Sequence, residues 1–178
     1  MMVLVINKSR IFALLFVCVS LFSSCKKTAK DWNAIAESID KWKVYQLSNN
    51  VLAPFPGKPI SKKIALDSYN AIVLDENNCT RDSITYSVNF ISNSTLKDKA
   101  SWDNFLKNEV MAFKALEQKK IKLGNYEAIL SKVRENDLCA LTLNCIVDSK
   151  YIINIAIRYK GEMPDEKIMN SFIKRIVF

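Results

Sequence analysis

The amino-acid sequence predicts an α+β fold, in which one antiparallel β-sheet is flanked by helices in a single domain that follows an N-terminal export signal. Apolar and polar residues alternate, as in strands with one face buried, along residues 84–90, 139–147 and 151–159. Residues 101–119 instead repeat apolar side chains at helical spacing. Removal of residues 1–24 leaves 154 residues, a length typical of one domain.

The first 24 residues have the composition of a secretory signal. Lys8 and Arg10 supply positive charge, and an apolar run follows over residues 11–22. This run is shorter than the roughly 20 apolar residues that cross a bilayer. The pattern therefore favours a cleaved export signal over a transmembrane anchor.

Cys25 is the predicted site of lipid attachment. Ser23 and Ser24 precede it, and small residues before a cysteine at the end of an apolar run resemble the lipobox of bacterial lipoproteins. In that family the cysteine carries a diacylglyceryl thioether and becomes the first mature residue. Phe22 replaces the usual leucine, and Ser-Ser-Cys-Lys resembles the relaxed lipoboxes of Bacteroidota. The resemblance implies a lipid anchor in the inner or outer membrane, on the periplasmic side or at the cell surface. The alternatives are an ordinary signal peptide with an incidental cysteine, or lipidation at Cys18.

The charge of the mature chain favours a membrane surface over nucleic acid. Two of the 26 basic residues and none of the 18 acidic residues precede Cys25, so the mature net charge is +6. Lysines 26, 27 and 30 belong to the tether, where they can lie against anionic headgroups. The remaining basic residues are scattered and form no stripe with stacking aromatics, so we expect no nucleic-acid partner.

The remaining elements follow from periodicity and turn residues. In chain order we expect a lipidated tether with a short helix (25–41), a hairpin (42–47 and 51–55), strands (60–66, 69–74 and 84–90), the long helix (101–119), a meander (126–135, 139–147 and 151–159) and a last helix opened by Pro164. Cys145 and Ile155 should face the core. Phe105 and Phe113 should line the buried face of the long helix, so replacing either by alanine should cost about 3–5 kcal/mol. The oxygen-rich residues 75–78 lack the spacing of a calcium loop and are interpreted as a turn.

Three cysteines follow Cys25. Cys139 and Cys145 lie six residues apart on one predicted strand, about 20 Å and therefore beyond disulfide reach. Cys79 either forms a disulfide with one of them, or all three cysteines are unpaired apolar core residues. We favour three unpaired core cysteines.

The mature domain resembles PsbP-like domains over residues 42–178. Trp-Lys-Val-Tyr at 42–45, a polar turn and Phe-Pro-Gly-Lys-Pro at 55–59 resemble the opening of that family, and Ser171-Phe172 resembles its terminal helix. The resemblance implies an α-β-α sandwich around an antiparallel sheet. Members include an extrinsic photosystem subunit, a nuclear-import factor that binds the GTPase Ran, and many bacterial lipoproteins. It therefore implies binding and assembly, with no shared catalytic residue.

Two interpretations remain for the Pro-Gly-Lys-Pro turn. Pro56 and Pro59 fix two φ angles, and we expect Gly57 to adopt a positive φ. In the first interpretation the segment only shapes the chain, and Lys58 is a solvent-exposed spacer. In the second, Lys58 anchors an acidic partner or a lipid headgroup.

Few residues carry recognisable chemistry. The chain has no histidine, so Ser-His-Asp catalysis and histidine-ligated zinc are excluded, and its three glycines form no phosphate-binding loop. We therefore predict no catalytic residue, cofactor or metal. Glu135 and Asp137 are interpreted as a solvated hairpin end. Asp82-Ser83-Ile84 matches the O-glycosylation pattern of exported Bacteroidota proteins, which makes Ser83 a candidate, with an ordinary strand start as the alternative.

These observations favour a non-catalytic, membrane-anchored envelope lipoprotein that binds a protein partner or a ligand. The alternative is an envelope enzyme, such as a hydrolase, whose site has no sequence signature.

Overall fold

A computed structural model of the protein describes residues 30–111 and 114–178. The predicted signal, Cys25 and Phe113 lie outside the described residues. Within these ranges the chain forms the elements α1 (Trp32–Ser38), β1 (Lys43–Gln46), β2 (Leu52–Phe55), β3 (Ile60–Ala65), β4 (Ile72–Arg81), β5 (Ile84–Asn93), α2 (Lys99–Phe105), β6 (Ala115–Leu123), β7 (Tyr126–Glu135), β8 (Leu138–Val147), β9 (Tyr151–Lys160) and α3 (Glu166–Ile173).

The main sheet is antiparallel throughout its seven strands, as predicted. Its order is β3-β4-β5-β9-β8-β7-β6, and β1 and β2 form a separate hairpin. Asp82 and Ser83 join β4 to β5 with φ angles of 52° and 64°, and Asn136, with φ 53°, helps join β7 to β8. Short hairpin loops with positive φ match the right-handed twist of paired strands. The fold is a single, mostly-β sandwich with three short α-helices in the described residues.

One face of the sheet packs against α1, α3 and the hairpin. Cys145 and Ile155 are fully buried in this core, which confirms their predicted orientation. Phe172 of α3 stacks on Tyr86 at 6.2 Å between ring centroids. Asp31 begins α1 by accepting a hydrogen bond from the Ala34 amide at 3.0 Å, as an N-cap residue does. The predicted helix in residues 25–41 is therefore confirmed.

The opposite face packs against α2. Trp102 and Leu106 cover Leu74, Ile91 and Ile152, whose side chains lie on the opposite face of the sheet from the first core. The helical prediction for residues 101–119 is correct only in its first half. The α-helix continues as π-helix over Leu106–Val110 and then ends, and residues 115–123 form the edge strand β6.

The prediction that Phe105 is a fully buried core residue is wrong. Its side chain is only half-buried at the margin of the α2 cluster, with its ring 6.1 Å from that of Trp102. Emptying this site should therefore cost less than emptying a fully buried one.

The interpretation of residues 75–78 as a turn is also wrong. These residues continue β4, which pairs with β3 on one side and β5 on the other. Polar side chains are accommodated in this strand because several have hydrogen-bond partners, as described below.

All three described cysteines are free thiols. Strands β5 and β9 lie between Cys79 on β4 and Cys139 on β8, so about 14 Å separates them, where a disulfide needs less than about 7 Å between Cα atoms. Cys139 and Cys145 are fully buried, and Cys79 packs at the margin of the core. The preference for unpaired core cysteines is confirmed.

The Pro-Gly-Lys-Pro segment differs from the expectation at its glycine. The described glycines with positive φ are Gly124 and Gly161, so Gly57 does not use the left-handed region. A Cβ on Gly57 would lie 3.5 Å from Cys79 Sγ, an ordinary van der Waals contact. Neither its φ nor the space around it therefore requires glycine at position 57, and Lys58 is exposed.

Candidate functional site

A polar groove lies between the β1–β2 hairpin and the sheet edge formed by β3 and β4. Its volume is about 350 Å³, within the range of small-molecule sites. The residues that line this hairpin groove are Gln46, Leu47, Ser48, Ser61, Lys62, Lys63, Asp75 and Asn77.

Local backbone conformation brings the two sides of the groove together. Asn49 and Asn50 adopt left-handed φ angles of 57° and 58°, and Asn tolerates this region better than most residues. The Leu47 amide donates to the Val51 carbonyl at 2.8 Å, which closes the turn and places Ser48 beside β4. On the other side, the register pairs Lys63 with Asp75, so both lie on the same face of the sheet.

A buried carboxylate forms the floor of the groove. Asp75 is only 7% exposed, and its Oδ2 accepts a hydrogen bond from the Ser48 hydroxyl. Its Oδ1 accepts from Asn77 Nδ2 at 3.4 Å. Burial of a carboxylate is costly without such donors, so these bonds account for Asp75 in an inner strand.

Asn77 anchors the floor to both neighbouring strands. Its Oδ1 accepts from the Ser61 hydroxyl of β3 at 2.7 Å. Its Nδ2 also donates to the Val88 carbonyl of β5 at 3.0 Å. With 2% of its surface exposed, Asn77 is held in one orientation and fixes Asp75 in turn.

A row of buried amides crosses the other face of the sheet and is joined to the groove strand through the Asn77 backbone. The Asn77 backbone N–H donates to Asn89 Oδ1 at 3.3 Å, and Asn89 Nδ2 donates to Asn154 Oδ1 at 3.2 Å. Asn154 Nδ2 then donates to Asn144 Oδ1 at 2.8 Å. Connected bonds in a buried setting polarise one another and hold the strands in register, so the groove has a rigid base.

The chemistry of the groove suits binding of a polar ligand. The Asp75 carboxylate and the ammonium group of Lys63 lie among hydroxyl and amide groups, with Leu47 as the single apolar lining residue. Lys62 lines the groove too, but its side chain points to the other face of the sheet. In the described part of the chain the Ser48 hydroxyl is hydrogen-bonded to Asp75, and a carboxylate alone is a weak base for activating a hydroxyl. Across residues 30–111 and 114–178, no cluster of three or more potential metal-ligating side chains is present.

The candidate residues predicted from sequence lie away from this groove. Ser83 is exposed in the β4–β5 turn, and Glu135 and Asp137 are exposed around the β7–β8 turn, as expected for a hairpin end. Lys58 is exposed before β3, and Cys25 lies outside the described residues.

Sequence reasoning missed the groove because Asp75 and Asn77 were assigned to a turn. A usable signal was nonetheless present. A two-residue turn at Asp82 and Ser83 pairs the predicted strand 84–90 with residues 75–81, which places Asp75 and Asn77 in a strand.

In the described residues no helix is both long enough and apolar enough to span a membrane. No protein family, curated protein or solved structure matches the chain.

Proposed function

We propose that the protein is an exported lipoprotein, anchored through Cys25, whose PsbP-like domain binds a polar ligand or a polar segment of an envelope protein in the hairpin groove. The observation that carries the binding role is the buried Asp75 carboxylate, held by Ser48 and Asn77 at the floor of an open groove. Fixed polar groups of this kind give orientation and specificity to a binding site.

The PsbP-like assignment is supported by the order of the elements. The resemblance implied hairpin strands, a helix inserted before a strand meander, and a terminal helix on an antiparallel sheet. The described chain has β1 and β2, then α2 between β5 and β6, then β7 to β9 and α3. Helices on both faces of the sheet, α1 and α3 on one and α2 on the other, support the same assignment.

Lipid anchoring is supported by the sequence, through the short apolar run and the small residues before Cys25. A lipidated cysteine places the domain at a membrane of the envelope, on the periplasmic side or at the cell surface.

Capture from native membranes tests the binding role. The lipidated protein is recovered by an affinity tag, and its co-purified proteins and small molecules are identified by mass spectrometry. Lys63→Glu should abolish the specific recovery, because it reverses an exposed charge beside Asp75 without altering the core. Lys120→Glu is the matched control, since Lys120 is an exposed lysine on β6, the opposite edge strand. Equal recovery with both variants and the wild type would rule out the groove as the binding site.

A hydrolase is the second candidate, favoured by the hydrogen bond between Ser48 and Asp75. Hydrolysis would require Ser48 as the nucleophile, so Ser48→Ala should abolish turnover of a chromogenic ester; because this variant also removes a donor to the buried Asp75, turnover is compared at a temperature at which both proteins are folded. Under the binding proposal the wild type shows no such turnover above that of Ser48→Ala.

A further inference from the structure

Lys30 is fixed to one end of the main sheet. Its backbone N–H donates to Glu162 Oε1 at 3.1 Å, and its Nζ donates to the Asp82 carbonyl at 2.7 Å. The same ammonium lies 5.5 Å from the centre of the Tyr159 ring, within the range of a cation–π contact. Three separate contacts therefore hold the residue from which the tether leaves the domain.

The two ends of the sheet are different in composition. We call the end with the Asp82–Ser83 turn, Asp137 and Gly161 the proximal end. Asp137 and Gly161 are in contact there, because the Gly161 amide donates to the Asp137 carbonyl at 2.7 Å. The opposite, distal end carries the β3–β4 turn with Tyr69. Ten-residue strands at about 3.3 Å per residue separate the ends by roughly 30 Å.

The hairpin groove lies in the distal half. Asp75 precedes the proximal end of β4 by six residues, which places it about 20 Å from Arg81. Lys63 pairs with Asp75 and therefore lies at the same height.

We propose that the proximal end faces the lipid bilayer and that the hairpin groove opens away from it. Lys30 is the fifth residue after Cys25, and five extended residues span at most about 18 Å. A lipid on Cys25 therefore holds the proximal end near the headgroups, while the distal end lies roughly a strand length farther out. This inference rests on the proposed anchor at Cys25 and adds the surface that meets the lipid.

The Pro-Gly-Lys-Pro turn supplies the contact with the bilayer. Arg81 Nη1 lies 3.5 Å from the Pro56 carbonyl, which places the turn at the proximal end. Lys58 is exposed, and Ile60 two residues later is 78% exposed. A cation beside an exposed apolar side chain suits the interface between headgroups and acyl chains. Lys58 is then a headgroup contact rather than a spacer.

Fluorescence quenching on vesicles tests this orientation. A hexahistidine segment placed directly before residue 25 binds the mature chain to phosphatidylethanolamine and phosphatidylglycerol vesicles that contain nickel-chelating lipid. Cys25→Ala and Cys79→Ser remove the other cysteines that could react with the fluorophore, since Cys139 and Cys145 are buried. A fluorophore is then attached through either Asp137→Cys or Tyr69→Cys.

Nitroxide-labelled headgroups should quench the fluorophore at position 137 several times more strongly than the one at position 69, where the native tyrosine is 88% exposed. Equal quenching at the two positions, or stronger quenching at 69, overturns the orientation. Nickel-chelating lipid anchors the chain whether or not cells lipidate Cys25, so failure of the lipoprotein proposal is recognised separately by the mass of the cellular protein.

Two sets of variants identify the residues responsible. Lys30→Ala combined with Glu162→Ala should bring the two quenching values together, because the side-chain contacts of the tether are lost. Lys58→Ala combined with Ile60→Ser should reduce quenching at position 137, whereas Lys120→Ala should not. If the ratio of quenching at positions 137 and 69 is unchanged in the Lys30→Ala, Glu162→Ala variant, Lys30 does not position the domain. If quenching at position 137 is unchanged in the Lys58→Ala, Ile60→Ser variant, the Pro-Gly-Lys-Pro turn does not contact the lipid.

Discussion

Replacement of Phe172 by alanine should be among the most destabilising single changes in the core. Phe172 is fully buried between α3 and the sheet. Its ring stacks on Tyr86 at 6.2 Å and makes edge contacts with Phe55 at 6.0 Å and Trp42 at 6.4 Å. These contacts join the hairpin, α3 and β5 into one cluster.

The magnitude follows from the loss of volume and of aromatic contacts. Emptying a buried Phe site costs about 3–5 kcal/mol, and aromatic pairs contribute about 0.5–1.5 kcal/mol each beyond area burial. Three such pairs place Phe172→Ala at the upper end, about 4–5 kcal/mol. At roughly 2–4 °C per kcal/mol for a domain of this size, the melting temperature should fall by roughly 8–20 °C.

Chemical and thermal denaturation of the unlipidated mature domain measure this effect. Phe105→Ala is the matched control, because Phe105 is half-buried and has one aromatic neighbour, Trp102. Its cost should be about half as large, near 2 kcal/mol. A loss below about 1 kcal/mol for Phe172→Ala, or an equal loss in both variants, would refute the packing described for this face.

Three further results are expected. Burial raises the pKa of the Cys145 thiol to about 12, so maleimide should label the half-buried Cys79 before Cys145 in the folded domain; equal rates without denaturant would contradict this burial. The hydrogen bond from Lys119, and after it that from Lys132, lowers the pKa of the Glu166 carboxyl. The Glu166 carboxylate therefore stabilises the fold at pH values above its ordinary pKa of 4.5, and this stabilisation is lost as the pH falls through the lowered pKa. The melting temperature of Glu166→Gln should accordingly lie below that of the wild type at neutral pH and converge with it in acid; a constant difference would argue against the ion pair. Lys58→Ala should change the free energy of unfolding by less than about 0.5 kcal/mol, and a larger loss would mean that Lys58 is part of the packing of its turn.

The central strands were predictable because each has one strongly apolar face. In β8 and β9 the residues Leu141, Leu143, Ile155 and Ile157 alternate with smaller or polar residues, and this period of two survives in the sequence. Their pairing then follows from short turns.

The edge strand β6 was not predictable in the same way. Residues 115–123 consist mainly of Ala, Leu, Glu, Gln and Lys, which favour helix, and they follow a true helix. Their charged side chains are exposed at the sheet edge, where lysines also discourage pairing with other chains. Pairing with β7 overrides the local preference, and only the folded chain supplies that partner.

The candidate site escaped prediction for a related reason. Asp75 and Asn77 are typical turn residues, and their place in β4 depends on partners far away in sequence, above all Ser48 and Asn89. Hydrogen bonds of this kind leave no periodic pattern. Gly57 shows the converse, since its neighbouring prolines suggested a positive φ that the folded chain does not use, and a Cβ there would make only an ordinary contact with Cys79.

Lipid anchoring at Cys25 is tested by the intact mass of the protein extracted from membranes of its native cells. We predict that the mature chain begins at Cys25 and carries the added mass of a diacylglyceryl group, and that Cys25→Ala remains uncleaved or leaves the membrane fraction. A mature chain that begins at another residue, or Cys25→Ala protein that still fractionates as a processed lipoprotein, would contradict the anchor at Cys25.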